Sequence, residues 1–261
     1  IEAVMQELIK ASTATDGVLL LTLNRPEKRN ALNKATLQCL CELLEEAEHN
    51  AQVKAVVLTG NAQCFAAGAD LSELAAMDAV SLQLDIRPKL WQKIDAFSKP
   101  LITAVNGYAL GAGFELVLHS DMVICGENAR FALPEIGLGM LPGAGGTQRL
   151  ARLVGQQLTM RWAMTGEMIS AKQAEQHGIC SQVVPTELTV EYAVQLAAKI
   201  AKQAPLAIRV IKQSIKSIHE TTLSQGLKFE RQNFVWLAAT KDRNEGINAF
   251  FEKRKPVFRG E

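Results

Sequence analysis

The chain has 261 residues, of which 48% are hydrophobic and 21% charged, and its formal net charge is +1. A chain of this length and composition can bury a large core, as one big domain or as a domain with an appendage. A balance so close to neutral gives no electrostatic case for binding nucleic acid or an anionic membrane. No apolar run approaches the roughly 18–20 residues of a membrane span. The first seven residues lack the basic and apolar regions of a signal peptide. Because the chain opens on Ile1 rather than Met, an upstream segment is expected to be missing. Cys39, Cys41, Cys64, Cys125 and Cys180 are scattered without a C-x-x-C pair, so neither a disulfide framework nor a zinc site is expected. Free thiols point to a reducing cytoplasm.

The first clear element is the apolar run 18–23, a buried strand bounded by Asp16-Gly17 and by Asn24-Arg25-Pro26. Residues 34–48 have helical periodicity, with Leu37, Leu40, Cys41, Leu44 and Ala47 on one face. Strands follow at 53–59 (stopped by Gly60), 101–105, 122–125 and 179–184, with helices near 82–97, 112–119 and 157–176. Alternation of this kind predicts an α/β fold. After about Pro185 the strand signals stop, and segments 191–202, 206–217, 223–239 and 243–253 read as four helices. The expected division is therefore a core over 1–185 and a helical region over 186–261 suited to packing or oligomerisation.

Two glutamates stand out by their surroundings. Glu115 follows Gly111-Ala112-Gly113-Phe114, and Glu135 precedes Ile136-Gly137-Leu138-Gly139-Met140. A carboxylate wrapped in Gly, Ala and Leu loses solvation, which raises its pKa toward the range useful for proton transfer. Two such groups brought together can hold a water and exchange protons without a metal or a nucleophile. Gly68-Ala69-Asp70 and Gly111-Ala112-Gly113 are turns of small residues, each ahead of a helical segment. Such turns let a ligand approach the backbone and expose N–H groups at a helix start. Two of those N–H groups converging on one carbonyl oxygen would stabilise an enolate. Arg29 supplies a cation beside the turn at Asn24-Arg25-Pro26, suited to a phosphate. His119, four residues after Glu115, reads as a packed side chain.

Taken together, Asn30-Ala31-Leu32-Asn33, Cys64 through Leu71, Ala104 through Glu115, and Pro134 through Leu150 resemble the enoyl-CoA hydratase/isomerase (crotonase) superfamily in order and spacing. The resemblance implies a crotonase spiral of ββα units with a helical C-terminal region that builds trimers, paired into hexamers. It implies an acyl-CoA substrate, with coenzyme A as part of the substrate and no separate cofactor, and addition of water across a trans-2-enoyl thioester. Glu115 and Glu135 match the two catalytic glutamates, and Ala69 and Ala112 match the oxyanion-hole donors. Ala66 and the stretch Ala69, Asp70, Leu71, Ser72 match adenine and pantetheine contacts, and Lys253 matches a tail lysine that approaches CoA. Within the family the resemblance leans toward the hydratases of phenylacetate catabolism that act on 2,3-dehydroadipyl-CoA. Such a substrate ends in a carboxylate, for which Arg87 or Lys89 would provide a cap. Rival readings are a Δ3,Δ2-enoyl-CoA isomerase, which relies on one glutamate at the Glu135 position, a non-catalytic scaffold, and an RNA-binding module using a stripe of Arg87, Lys89, Lys93 and Lys99.

Overall fold

The computed structural model describes residues 8–261, so the signal-peptide reading of the first seven residues lies outside it. The chain begins with β1 (Ile9–Thr15) and β2 (Val18–Leu23), an antiparallel pair with Ile9 opposite Leu23. Then come α1 (Lys34–His49), β3 (Ala55–Thr59), β4 (Cys64–Ala66), α2 (Leu71–Ala75), α3 (Ala79–Gln83) and α4 (Arg87–Ala96). A second unit holds β5 (Leu101–Val105), β6 (Tyr108–Leu110) and α5 (Ala112–His119). A third holds β7 (Met122–Gly126), β8 (Arg130–Ala132), α6 (Gly146–Val154) and α7 (Gln156–Thr165). The chain continues through β9 (Ile169–Ser170), α8 (Ala171–Gln176), β10 (Gln182–Val184), α9 (Thr189–Ala201), α10 (Pro205–Lys216), α11 (Leu223–Leu237) and α12 (Lys241–Phe251).

The strands sort into two sheets, ordered β1-β2-β3-β5-β7-β10 and β4-β6-β8-β9. In three successive units, β3-β4, β5-β6 and β7-β8, the first strand joins the large sheet and the second the small one. This is the repeat behind the expected spiral of ββα units. It leaves little trace in the sequence, because β4, β6 and β8 have only three residues each.

The centre of the large sheet is buried on both faces, as parallel sheets require. Along β3 the side chains alternate, with Val56 and Leu58 joining Leu37, Leu40 and Leu44 of α1. Ala55 and Val57 point the other way, to Ala193 and Ala197 of α9. Both of those alanines are fully buried, so α9 closes the core. This helix, which lies after residue 185, packs on the sheet's second face. Two predicted helices are also divided. The segment 82–97 breaks at Asp85, whose side chain accepts the Arg87 N–H ahead of Pro88. The segment 157–176 breaks at Gly166, which caps α7 in the left-handed conformation. All five cysteines are buried, and none is in a disulfide.

Candidate active site

The strand pairing brings the two small-residue turns together. β4 and β6 are neighbours in parallel register, Cys64 with Tyr108 and Ala66 with Ala109, so the segments leaving their carboxyl ends lie side by side. After β4, Ala69 forms a parallel bridge with Leu32: the Leu32 N–H donates to Gly68 O at 2.7 Å, and the Asp70 N–H donates to Leu32 O at 3.0 Å. That pattern uses the groups flanking Ala69 and leaves the Ala69 N–H turned away from Leu32. After β6, Gly111 adopts φ 48° and ψ −124° and starts α5 at Ala112. The Ala112 N–H is one of the helix-terminal donors without an intrahelical acceptor. Ala69 and Ala112 line one cavity of about 360 Å³.

Glu115 projects from the first turn of α5 and is buried. Its Oε1 accepts the N–H groups of Ala144 at 2.7 Å and Gly146 at 2.8 Å. Burial dominates and raises its pKa, while these two donors and the nearby His119 and Arg149 pull it part-way back. The result is a fixed carboxylate with one oxygen spent on orientation. Glu135 lies in a short 3-10 turn, Pro134–Leu138. Its Oε2 is buried without a hydrogen-bond partner. Burial raises its pKa to about 7, with the Glu115 charge a smaller contribution in the same direction. A carboxyl group poised near neutrality can give or take a proton at physiological pH. Both glutamates line the cavity that holds Ala69 and Ala112.

The remaining cavity wall is mostly apolar, with Leu74, Leu82, Trp91, Leu138, Met140 and Leu141, and it carries one ion pair, Arg87 with Asp85. Such a lining suits an acyl chain. Arg87 is ion-paired with Asp85 and lies 3.8 Å from Glu73. Lys89 is exposed and outside the lining, so of the two expected carboxylate caps only Arg87 reaches the cavity. The suggested RNA-binding stripe dissolves in the fold: Arg87 faces Asp85, Lys93 pairs with Glu45, and Lys99 is buried. Lys99 Nζ donates to the carbonyls of Ala47, Asn50 and Val53. A smaller hollow of about 150 Å³ beside Lys99 and Arg209 holds no comparable chemistry, since Lys99 is spent on those carbonyls and Arg209 pairs with Glu48.

The expected CoA contacts divide. Leu71 lines the cavity mouth, but Ala66 is fully buried. A Cβ on Gly113 would sit 2.2 Å from the Ala66 carbonyl, so Ala66 packs directly against α5. Asp70 caps α2 through Ser72 and pairs with Arg25 at 3.1 Å. The Ser72 hydrogen bonds and Arg25 hold its carboxyl below the usual range. Arg29 is exposed, and its carbonyl accepts the Ala67 N–H at 3.0 Å. Lys253 is exposed at the end of α12 and does not line the cavity of its own chain. Asn30, read in the sequence only as the start of the Asn30–Asn33 motif, has a structural role here. Its buried side chain donates to the carbonyls of Cys64 and Phe65 at 3.1 Å each and accepts the Arg25 N–H at 2.9 Å. Its φ is 55°, in the left-handed region that Asn tolerates better than most residues. Among the described residues no group of three or more His, Cys, Asp or Glu is placed to hold a metal ion.

Residues 13–261 match the family described as enoyl-CoA hydratase/isomerase. The chain belongs to that family. It is 56% identical over 256 residues to the 2,3-dehydroadipyl-CoA hydratase of Escherichia coli K12, covering 98% of this chain and all of that one. It is 43% identical over 240 residues to the mitochondrial enoyl-CoA hydratase of Pongo abelii, covering 92% and 83%. A crystal structure of enoyl-CoA hydratase from Bacillus anthracis superposes with a TM-score of 0.93 at 38% identity, covering 97% of this chain and all of that one. The crotonase architecture expected from the sequence is thus the architecture of the family's solved members.

Proposed function

We propose that this protein is an enoyl-CoA hydratase that adds water across the trans-2 double bond of an enoyl-CoA thioester to give the 3-hydroxyacyl-CoA. The observation that carries the reading is the pair of unlike carboxyls on one cavity. Glu115 is oriented by two backbone donors, and Glu135 is poised near neutrality with a buried, unpartnered oxygen. The N–H groups of Ala69 and Ala112 polarise the thioester carbonyl and take up the negative charge of the enolate. Glu115 orients the water, and Glu135 acts as the acid/base that exchanges a proton with the water and the α-carbon. Atoms balance: water supplies the hydroxyl at the β-carbon and the hydrogen at the α-carbon. An isomerase relying on one glutamate would not need the two donors that fix Glu115.

The substrate is a six-carbon dicarboxylic enoyl thioester of the 2,3-dehydroadipyl type, a reading supported by the name of the Escherichia coli relative and by the Arg87 guanidinium, paired with Asp85, in an otherwise mostly apolar wall. Arg87 keeps N–H donors beyond those facing Asp85 to share with a distal carboxylate. The protein self-associates as a trimer or hexamer, supported by exposed apolar residues on the last helices such as Phe234, Trp236, Phe250 and Phe251. Loss of the enoyl-thioester absorbance with crotonyl-CoA and 2,3-dehydroadipyl-CoA, for wild type and Glu135→Gln, tests the reaction. Hydration that collapses in the variant is expected; a folded wild type that hydrates neither substrate overturns the reading. Arg87→Ala is expected to remove most of the preference for the dicarboxylic substrate, and an unchanged preference removes Arg87 from that role.

A further inference from the structure

One buried titratable side chain next to the site has no part in the reaction described so far. His119 is four residues after Glu115 on α5, hence on the same helix face. It is only 4% exposed. Its Nε2 lies 3.0 Å from the carbonyl oxygen of Ala144. A carbonyl only accepts, so Nε2 carries the proton and donates it. The ring stacks on Trp91, with centroids 5.1 Å apart and planes inclined by 23°. Nδ1 faces Asp95 at 3.6 Å, and Asp95 is itself held by Arg149 at 3.0 Å and Lys216 at 3.2 Å.

Ala144 connects His119 to Glu115. Its carbonyl is held by His119, and its N–H is one of the two donors on Glu115 Oε1. The segment between Gly139 and Gly145 has no regular secondary structure, so no ladder of backbone bonds fixes it. We propose that His119 is a positioning residue for the hydration step: by holding the Ala144 carbonyl it aims the Ala144 N–H, and with it the Glu115 carboxylate, at the water. The effect is geometric. The Ala144 N–H and C=O belong to adjacent peptide planes joined at one Cα, so a carbonyl held by His119 restricts the rotation about that Cα and limits how far the N–H can swing from Glu115. Stacking on Trp91 sets the ring, the ring sets Ala144, and Ala144 sets the carboxylate. This rests on the reading of Glu115 as the residue that orients water.

Three substitutions separate the parts. Glutamine carries an amide nitrogen near the Nε2 position, asparagine carries one near Nδ1, and leucine carries neither. We expect His119→Gln to retain activity within about threefold. His119→Asn and His119→Leu should each lose about tenfold in kcat with KM nearly unchanged, because the binding surface is intact while the attacking water is misaligned. Adding His119→Asn to Glu115→Gln should cost little more than Glu115→Gln alone, since both act through one carboxylate. A general packing role would instead rank the variants by thermal stability, and its cost would add fully to that of Glu115→Gln. Kinetics with crotonyl-CoA, accompanied by circular dichroism and melting curves, read all of this. If leucine does not fold, the Gln against Asn comparison decides. Equal activity for Gln and Asn, or full additivity with Glu115→Gln, overturns the proposal. Inactivity of the folded wild type would overturn the hydratase reading instead.

Discussion

Gly111 links backbone conformation to the acid/base pair more directly than any other position in the site. A Cβ there would lie 2.7 Å from Glu135 Oε1, well inside the 3.4 Å at which ordinary contact begins. The Glu135 carboxyl would have to retreat by about 0.7 Å. Misplacement by 1 Å costs on the order of a hundredfold in rate, so Gly111→Ala should lose roughly 10–30-fold in kcat. The backbone pays separately. At φ 48° and ψ −124° only glycine is at ease, and alanine should cost about 1–3 kcal/mol of stability. Gly139→Ala isolates that second effect, because φ is 67° and nothing lies within 4 Å of the new methyl. The control should lose about 1 kcal/mol and keep its kcat. Denaturant melts and the enoyl-thioester absorbance assay, run side by side, give both quantities. If Gly111→Ala is destabilised like Gly139→Ala yet hydrates within twofold of wild type, contact between position 111 and the Glu135 carboxyl does not govern the reaction.

Glu135→Gln should lower kcat about 100–10,000-fold. It should also change stability in a pH-dependent way. The folded carboxyl titrates near 7 and the unfolded one near 4.5, so between those values the folded state binds the extra proton and wild-type stability falls as pH rises. The shift sets a ceiling of about 3 kcal/mol. Partial solvent contact lowers it, so Glu135→Gln should be more stable than wild type by about 1–2 kcal/mol at pH 8 and equal to it near pH 4; denaturant midpoints at the two pH values check this. Asn30→Ala removes two buried hydrogen bonds to the strand before the oxyanion turn and puts alanine at φ 55°. It should cost roughly 2–4 kcal/mol, measured by urea unfolding, and a cost under 0.5 kcal/mol would show that Asn30 is no clamp.

What could be read in the sequence divides along physical lines. β2, β3, β5 and β7 are legible because a strand buried on both faces must be continuously apolar, as Ala55-Val56-Val57-Leu58 is. β4, β6 and β8 are too short to show a period, and β1 is exposed along almost its whole length. The helix α6 went unread behind Pro142-Gly143-Ala144-Gly145, which looks like loop and is followed by only nine helical residues. Glu115 and Glu135 announced themselves through their neighbours, because desolvation is a local property of Gly, Ala and Leu around a charge. Asn30 and His119 did not, since their partners Phe65 and Ala144 lie 35 and 25 residues away and only the folded chain brings them close.

The side-by-side exit of β4 and β6 has a consequence for how the site can change. Ala69 and Ala112 contribute peptide N–H groups, and their spacing is set by two strands hydrogen-bonded to each other. No replacement of either side chain by another ordinary L-residue deletes such a donor; only proline does, or a distortion of the pairing. The two carboxyls, by contrast, are each one codon from removal. The machinery is therefore written in two scripts of unequal durability. The grip on the thioester belongs to the fold, and the proton chemistry is an inscription on it that substitution can erase while the grip persists.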